Sequence, residues 1–210
     1  MRTTSKRLIM TISAVLCLVP GVRAAKIDFE TVPVGTVYGE PANNTPGEIV
    51  LSQDGINMSV ELFRYGGTVD FYRAEISGRY GGFFPTTPAE LVQISLLFDF
   101  TNIGFDANLV TLDYMEFGGA SNFSVNDHQT LEIDSLGTVP TDIAPGVTAW
   151  VGPNSITLTG EIDRFLIGGQ ELAIDNVVVV PEPASLVLLG AAAAVGWCRR
   201  SRRPLRRRKG

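Results

Sequence analysis

Between its two ends the chain alternates apolar and polar residues with a period of two, and this alternation limits what it can fold into. Ile56-Asn57-Met58-Ser59-Val60-Glu61-Leu62 is a clean case, and Val92 to Phe100 repeats it with Leu97 as the exception. Successive side chains of a strand point to opposite faces, so such stretches read as half-buried strands. No window of ten or more residues away from the termini carries a helical period. Further strand candidates are 26–30, 69–76, 109–117, 129–133, 147–151, 155–159, 162–167 and 171–180. Gly66-Gly67, Gly81-Gly82, Gly118-Gly119, Pro153-Asn154 and Gly168-Gly169 stand between them as turn signals. The pattern predicts an all-β fold, a single jelly-roll-like β-sandwich of two sheets, with a closed barrel as the second choice.

Both ends break the pattern. Arg2, Lys6 and Arg7 precede a mostly apolar run from Leu8 to Val19, and Val22-Arg23-Ala24 satisfies the small-residue rule for cleavage. Residues 1–24 therefore read as a signal peptide, cut by signal peptidase between Ala24 and Ala25. At the other end a valine-rich strand runs into Pro181-Glu182-Pro183. Proline has a fixed φ and no N–H, so neither strand nor helix continues through this box. The fourteen residues from Ala184 to Trp197 form a short hydrophobic helix candidate, less than the roughly 20 that span a bilayer. Arginines 199, 200, 202, 203 and 206–208 with Lys209 close the chain. Such a cluster stays on the cytoplasmic side and holds whatever precedes Pro181 outside.

This order of a Pro-Glu-Pro box, a short Leu/Ala/Gly-rich hydrophobic segment and a basic terminus resembles the PEP-CTERM sorting signal of Gram-negative bacteria. The resemblance covers residues 180–210 and rests on Val180-Pro181-Glu182-Pro183-Ala184-Ser185, the apolar run and the arginines. It implies an exported protein with transient inner-membrane anchoring through the C-terminal helix. It also implies recognition by an exosortase, which removes the anchor and releases or attaches the protein at the cell surface or in the extracellular (biofilm) matrix. A plain membrane anchor with a proline hinge is the bland alternative. Cys198, beside the arginines, is read as a bystander in a discarded tail.

What remains, 25–179, is the domain that must fold. Over residues 25–180 there are five basic residues (Lys26, Arg64, Arg73, Arg79, Arg164) against 21 acidic ones, a net charge of −16. So acidic a surface repels nucleic acid and anionic membrane, and it excludes nucleic-acid binding from the expected functions. The cysteines at 17 and 198 both lie in the ends, so the domain offers no disulfide, thiolate nucleophile or cysteine-bound zinc.

Catalytic signals are thin. The chain's one histidine, His128, sits in a polar turn-like stretch, and no nucleophile elbow, histidine pair or phosphate loop occurs. Two of the many carboxylates could in principle cleave a glycoside, which keeps a secreted glycoside hydrolase as the competing expectation. Asp28 and Glu30, two apart, share one face of the first strand, and Asp175 lies in the last. Hard cations take carboxylate and carbonyl oxygens, and the placement resembles the calcium-stabilised jelly rolls of carbohydrate-binding modules. That resemblance implies structural calcium on Asp28 or Glu30 and Asp175; simple capping of backbone N–H groups by the same carboxylates is the alternative. Arg64, Tyr65, Tyr72, Arg73, Arg79 and Tyr80, with Trp150, form a candidate ligand surface. Aromatic faces beside arginines suit an extracellular polysaccharide, and they equally suit a packed sandwich edge, with Phe83 and Phe84 expected inside. The expected function is a non-catalytic binding or structural module.

Overall fold

The computed structural model describes residues 23–181 apart from Gly81 and Pro85. Most of the expected signal peptide, the box residues Glu182 and Pro183, the C-terminal hydrophobic segment and the arginine tail lie outside the described residues. Among the described residues no helix is long and apolar enough to cross a membrane.

The strands are β1 (Ala25–Ile27), β2 (Val37–Gly39), β3 (Ile49–Gln53), β4 (Ile56–Glu61), β5 (Phe63–Tyr65), β6 (Thr68–Asp70), β7 (Arg73–Ile76) and β8 (Ala89–Val92). They continue as β9 (Ile94–Asp99), β10 (Ala107–Val125), β11 (Leu131–Ile133), β12 (Asp142–Ala144), β13 (Val147–Val151), β14 (Ser155–Thr159) and β15 (Arg164–Pro181). Two single-turn 3₁₀ segments, Glu40–Ala42 and Leu136–Thr138, interrupt them. The all-β expectation holds, and every pairing is antiparallel.

Two strands carry the architecture. β10 and β15, 19 and 18 residues long, pair along almost their whole length. One half of this ribbon extends through β9, β4 and β3 on one edge and β11 on the other. The other half carries β14, β13 and β12 along β10, with β8, β7, β2 and β1 on the side of β15. Where the sequence predicts a jelly-roll-like sandwich of two sheets, the hydrogen bonding joins thirteen strands into one large antiparallel sheet, and β5–β6 forms a separate two-stranded one. Apolar residues of both halves, among them Met58, Phe98, Leu112, Ile156 and Ile174, join one core cluster. The Phe165 ring anchors it, 5.2 Å from Phe123 in an edge-to-face arrangement and 6.2 Å from Phe98.

The two glycine pairs read as turns from sequence are instead where the ribbon bends. Gly118 and Gly119 lie within β10 at positive φ (133° and 77°), beside register shifts in its pairing with β15. Ser121 of β10 stands opposite Gly169, so Gly168-Gly169 occupies nearly the same level of the partner strand. A Cβ on Gly168 would strike the Ser95 hydroxyl and come within 2.9 Å of the Ile94 carbonyl. Glycine here lets two backbones approach closely and lets the strand bend without ending. The pairs at 66–67 and 153–154 do make turns, closing β5–β6 and β13–β14.

Candidate functional site

The alternation that builds β15 is interrupted once more, at Asp175-Asn176. Asp113 stands opposite Asp175 and Thr111 opposite Val178, so β15 carries one extra residue here, and Asn176 takes a positive φ of 51°. The bulge resets the pleat so that Ile174 and Val177 both reach the core. Asp175 is left fully buried (0% exposed) outside that cluster. Its carboxylate accepts hydrogen bonds from the Thr86 hydroxyl and, at 2.7 Å, from the Asn176 backbone N–H. The Asn176 side chain donates to Asp113 at 2.9 Å. Burial pushes the Asp175 carboxyl up to about 6, with the Asp113 charge adding to the rise; Thr86, Asn176 and Lys26 act against it.

The other residues of the calcium expectation lie along the same edge. Glu30 accepts from the Thr87 backbone N–H at 2.9 Å, so Glu30 and Asp175 hold neighbouring residues of the segment before β8. Asp28 makes an ion pair with Lys26 at 3.4 Å and accepts from Gln53 at 3.2 Å and from the Glu30 N–H at 3.2 Å. Among the described residues no group of three or more His, Cys, Asp or Glu side chains is arranged to hold a metal ion. Each of the three carboxylates accepts at least one backbone N–H.

The aromatic and arginine residues singled out in the sequence separate into three places. Arg64 and Tyr65 lie on the β5–β6 hairpin. The buried Asn122 side chain clasps it by accepting from the Arg64 N–H (2.7 Å) and donating to the Arg64 carbonyl (2.6 Å). The Tyr65 hydroxyl donates to Asp134 at 2.8 Å. Arg73 is spent on Glu75 at 2.6 Å and lies 5.9 Å from the centre of the Tyr72 ring. Arg79 and Tyr80 lie elsewhere, and Tyr80 stacks on Phe117 with ring centres 4.8 Å apart.

Near Tyr80 a groove of about 620 Å³ opens between Phe83, the Tyr114–Glu116 stretch of β10, Ser135, Gly137 and the 151–154 turn. The Phe83 N–H donates to the Tyr80 carbonyl at 2.8 Å, which fixes the turn between the two rings. Phe83 was expected inside with Phe84; Phe84 is buried (5% exposed), but Phe83 is 67% exposed. Trp150, 62% exposed, lies against Gly152 of the groove wall. The Tyr114 hydroxyl holds that wall by donating to the Gly152 carbonyl at 2.9 Å. Glu116 is the lining carboxylate, and it already accepts from the Leu136 N–H (2.7 Å), the Ser135 hydroxyl (2.8 Å) and the Ser121 hydroxyl (3.0 Å). The groove therefore presents the exposed Phe83 ring and polar groups, with its one lining carboxylate, Glu116, engaged in three hydrogen bonds.

His128 borders a smaller cavity of about 290 Å³ with Glu61, Ser124, Asp127 and Arg164. Arg164 is held there by Asp127 at 2.8 Å and Asp99 at 3.4 Å. Burial raises the Glu61 carboxyl above the usual carboxylate range.

The last feature is the far end of β15. Pro181 is still paired with Ala107, and β1 lies on the other side of β15 with Ala25 opposite Val179. Phe105, Asp106, Asn108 and Glu161 surround Pro181 in a cavity of about 370 Å³.

Comparison with known families gives one match: the family model for the PEP-CTERM protein-sorting motif matches residues 179–203. No curated protein and no solved structure matches the chain. The matched stretch opens at Val179, inside β15, and takes in Pro181-Glu182-Pro183. The chain carries this sorting signal, which marks an exported protein handled at the membrane by an exosortase.

Proposed function

We propose that the exosortase delivers the acidic β body to the cell surface or extracellular matrix, where it serves as a non-catalytic module that binds uncharged polysaccharide along the Phe83–Trp150 groove. The observation that carries this reading is the exposed Phe83 ring lining a groove whose carboxylate, Glu116, already accepts three hydrogen bonds, with the exposed Trp150 set against the Gly152 wall. Sugar rings present C–H faces that stack on aromatic rings, and their hydroxyls suit neutral donors and acceptors. A net charge of −16 over residues 25–180 disfavours anionic polymers.

The test is binding of the mature protein to neutral and anionic polysaccharides. Trp150→Ala and Phe83→Ala should each weaken neutral-glycan binding by about 3–10-fold, the worth of one aromatic stack. The thermal midpoint should not move, because both rings are exposed. Undiminished binding by the double variant, or a preference for anionic polymers, would retire this reading.

A further inference from the structure

The half of the sheet that holds the His128 cavity carries a rung of four residues turned away from the core. Ser59 stands opposite Leu97, Leu97 opposite Leu166 and Leu166 opposite Ser124, straight across β4, β9, β15 and β10. Their neighbours along the strands, Val60, Phe98, Phe165 and Val125, belong to the core cluster, so the rung lies on the outer face. Leu97, Leu166 and Ser124 line the cavity of about 290 Å³, together with Glu61, two residues along β4, and Arg164, two residues along β15. The turn at 126–130 supplies a wall. Hydrogen bonds fix it: the Ser124 hydroxyl donates to the His128 carbonyl at 2.6 Å, and the Asn126 side chain donates to the Glu161 carbonyl at 2.7 Å. The cavity shares no lining residue with the Phe83 groove.

The charges around this cavity are unevenly spent. Arg164 is tied to Asp127 at 2.8 Å and to Asp99 at 3.4 Å, and Asp99 also accepts from the Thr101 N–H at 2.9 Å. Glu61 is different. None of the ion pairs among the described residues includes it. The Ser59 hydroxyl donates to it only at 3.4 Å, longer than an ordinary O–H···O bond. Burying a charge without a counter-charge is costly. Burial accordingly raises the Glu61 carboxyl, and the distant Ser59 hydroxyl only partly offsets it. What the cavity offers is one unspent carboxylate beside an apolar floor of Leu97 and Leu166.

We propose that this cavity is a second binding site, separate from the Phe83–Trp150 groove, and that it takes a small ligand bearing a protonated primary amine. The ammonium group pairs with Glu61, and the C–H or methylene frame of the ligand lies on Leu97 and Leu166 as the stem of a lysine lies on apolar surface. A bare metal ion fits less well, because hard cations want several oxygen ligands and among the described residues no group of three or more such side chains is arranged for one. An anion is opposed by Glu61 and Asp127, and the one guanidinium at the site is already paired. Pockets for drug-sized ligands run to roughly 300–1,000 Å³, so this one suits a ligand at the small end, such as one amino-sugar unit or a short aliphatic amine. Both carry the same ammonium chemistry.

The test is titration of the mature protein near pH 7 with glucosamine, N-acetylglucosamine and putrescine, followed by calorimetry and by the ring signals of His128, the chain's one histidine. At least one of the two amines should bind about 10-fold or more tightly than neutral N-acetylglucosamine, the worth of a hydrogen bond to a charged group. It should also shift the His128 ring signals. Tighter binding of glucosamine assigns the site to an amino sugar, and tighter binding of putrescine assigns it to an aliphatic amine. Glu61→Gln keeps the side chain's shape and should bring the amine down to the level of N-acetylglucosamine. General attraction to so acidic a body would barely notice the loss of one carboxylate among 21. Equal binding of N-acetylglucosamine, undiminished binding by Glu61→Gln, or an unmoved His128 signal would overturn the proposal, and the first and third need no variant to fold. The Phe83→Ala, Trp150→Ala double variant should bind the amine as the wild type does. Loss of amine binding there would place the ligand in the groove and also overturn the proposal, whereas loss of neutral-glycan binding alone speaks only to the groove.

Discussion

Asp175 offers the sharpest quantitative test of how this body is held together. Its carboxyl is 0% exposed and titrates near 6 in the fold, against an ordinary 3.8. Because the folded-state value is the higher one, the native protein binds the proton more tightly than the unfolded chain between those limits. The contribution is fully present below about pH 4 and is lost as pH rises through 6. At about 1.36 kcal/mol per unit, the loss by neutral pH is on the order of 3 kcal/mol. Asp175→Asn removes the charge and keeps an acceptor for one of the two donors, Thr86 or the Asn176 N–H. Losing the other hydrogen bond costs about 1 kcal/mol.

The variant should therefore be more stable than the wild type at pH 8, by about 1–2 kcal/mol. For a domain of this size that corresponds to roughly 2–8 °C in Tm. At pH 4, where the wild-type carboxyl is itself protonated, the difference should vanish or reverse. Thermal or urea melts of the mature protein and the variant across this range supply the measurement, and only their difference is used. Asp28 and Asp99, whose carboxyls are held below the usual range, titrate in both proteins. A pH-independent difference would refute the assignment. Asp113→Asn should move the same curve partway, because it removes the like charge opposite Asp175.

Three further outcomes follow from packing, hydrogen bonding and the sorting box. Gly168→Ala should destabilise the mature protein by about 1–3 kcal/mol through overpacking against Ser95 and the Ile94 carbonyl; an unchanged urea midpoint would remove the close-approach argument. Asn122→Ala should cost about 2–3 kcal/mol, since it strands the Arg64 N–H and carbonyl. Hydrogen exchange of residues 63–70 should rise first, and uniform exchange across the body would count against a local clasp. Glu182→Gln or Pro183→Ala should leave full-length protein in the membrane fraction, read by immunoblot, and normal processing would contradict the role given to the box.

The sequence announced strands well and announced topology poorly, for a reason visible in its glycines. A Gly-Gly pair between two alternating segments has the same local signature whether the chain reverses or merely bends. At 66–67 the chain reverses, and β5 pairs with β6. At 118–119 and 168–169 the strands carry on, because each pair lies close to the other across the ribbon and because Ser95 and Ile94 crowd Gly168. Those neighbours are 50 to 74 positions away in the chain, and no local pattern reports them. The same ambiguity turned two expected strands, 162–167 and 171–180, into the single β15. Asp54-Gly55, which closes β3 onto β4 with Gln53 opposite Ile56, is by contrast a hairpin signal legible from two adjacent residues.

Site legibility divides along the same line. The sorting box is contiguous, so its proline spacing and basic terminus could be read directly from the chain. The groove is not contiguous: Phe83, Tyr114 and Gly152 come from three separate stretches. Arginines and tyrosines cluster over Arg64–Tyr80, where Tyr65 and Arg73 are engaged with acidic partners and Arg73 lies over the Tyr72 ring. Arg73 and Arg164 are held by carboxylates and serve as internal ties. The uncharged aromatics that the core leaves most exposed are Phe83 and Trp150. Unlike Arg73 and Arg164, these two have no partner of opposite charge to satisfy, and their exposure is the stronger functional signal.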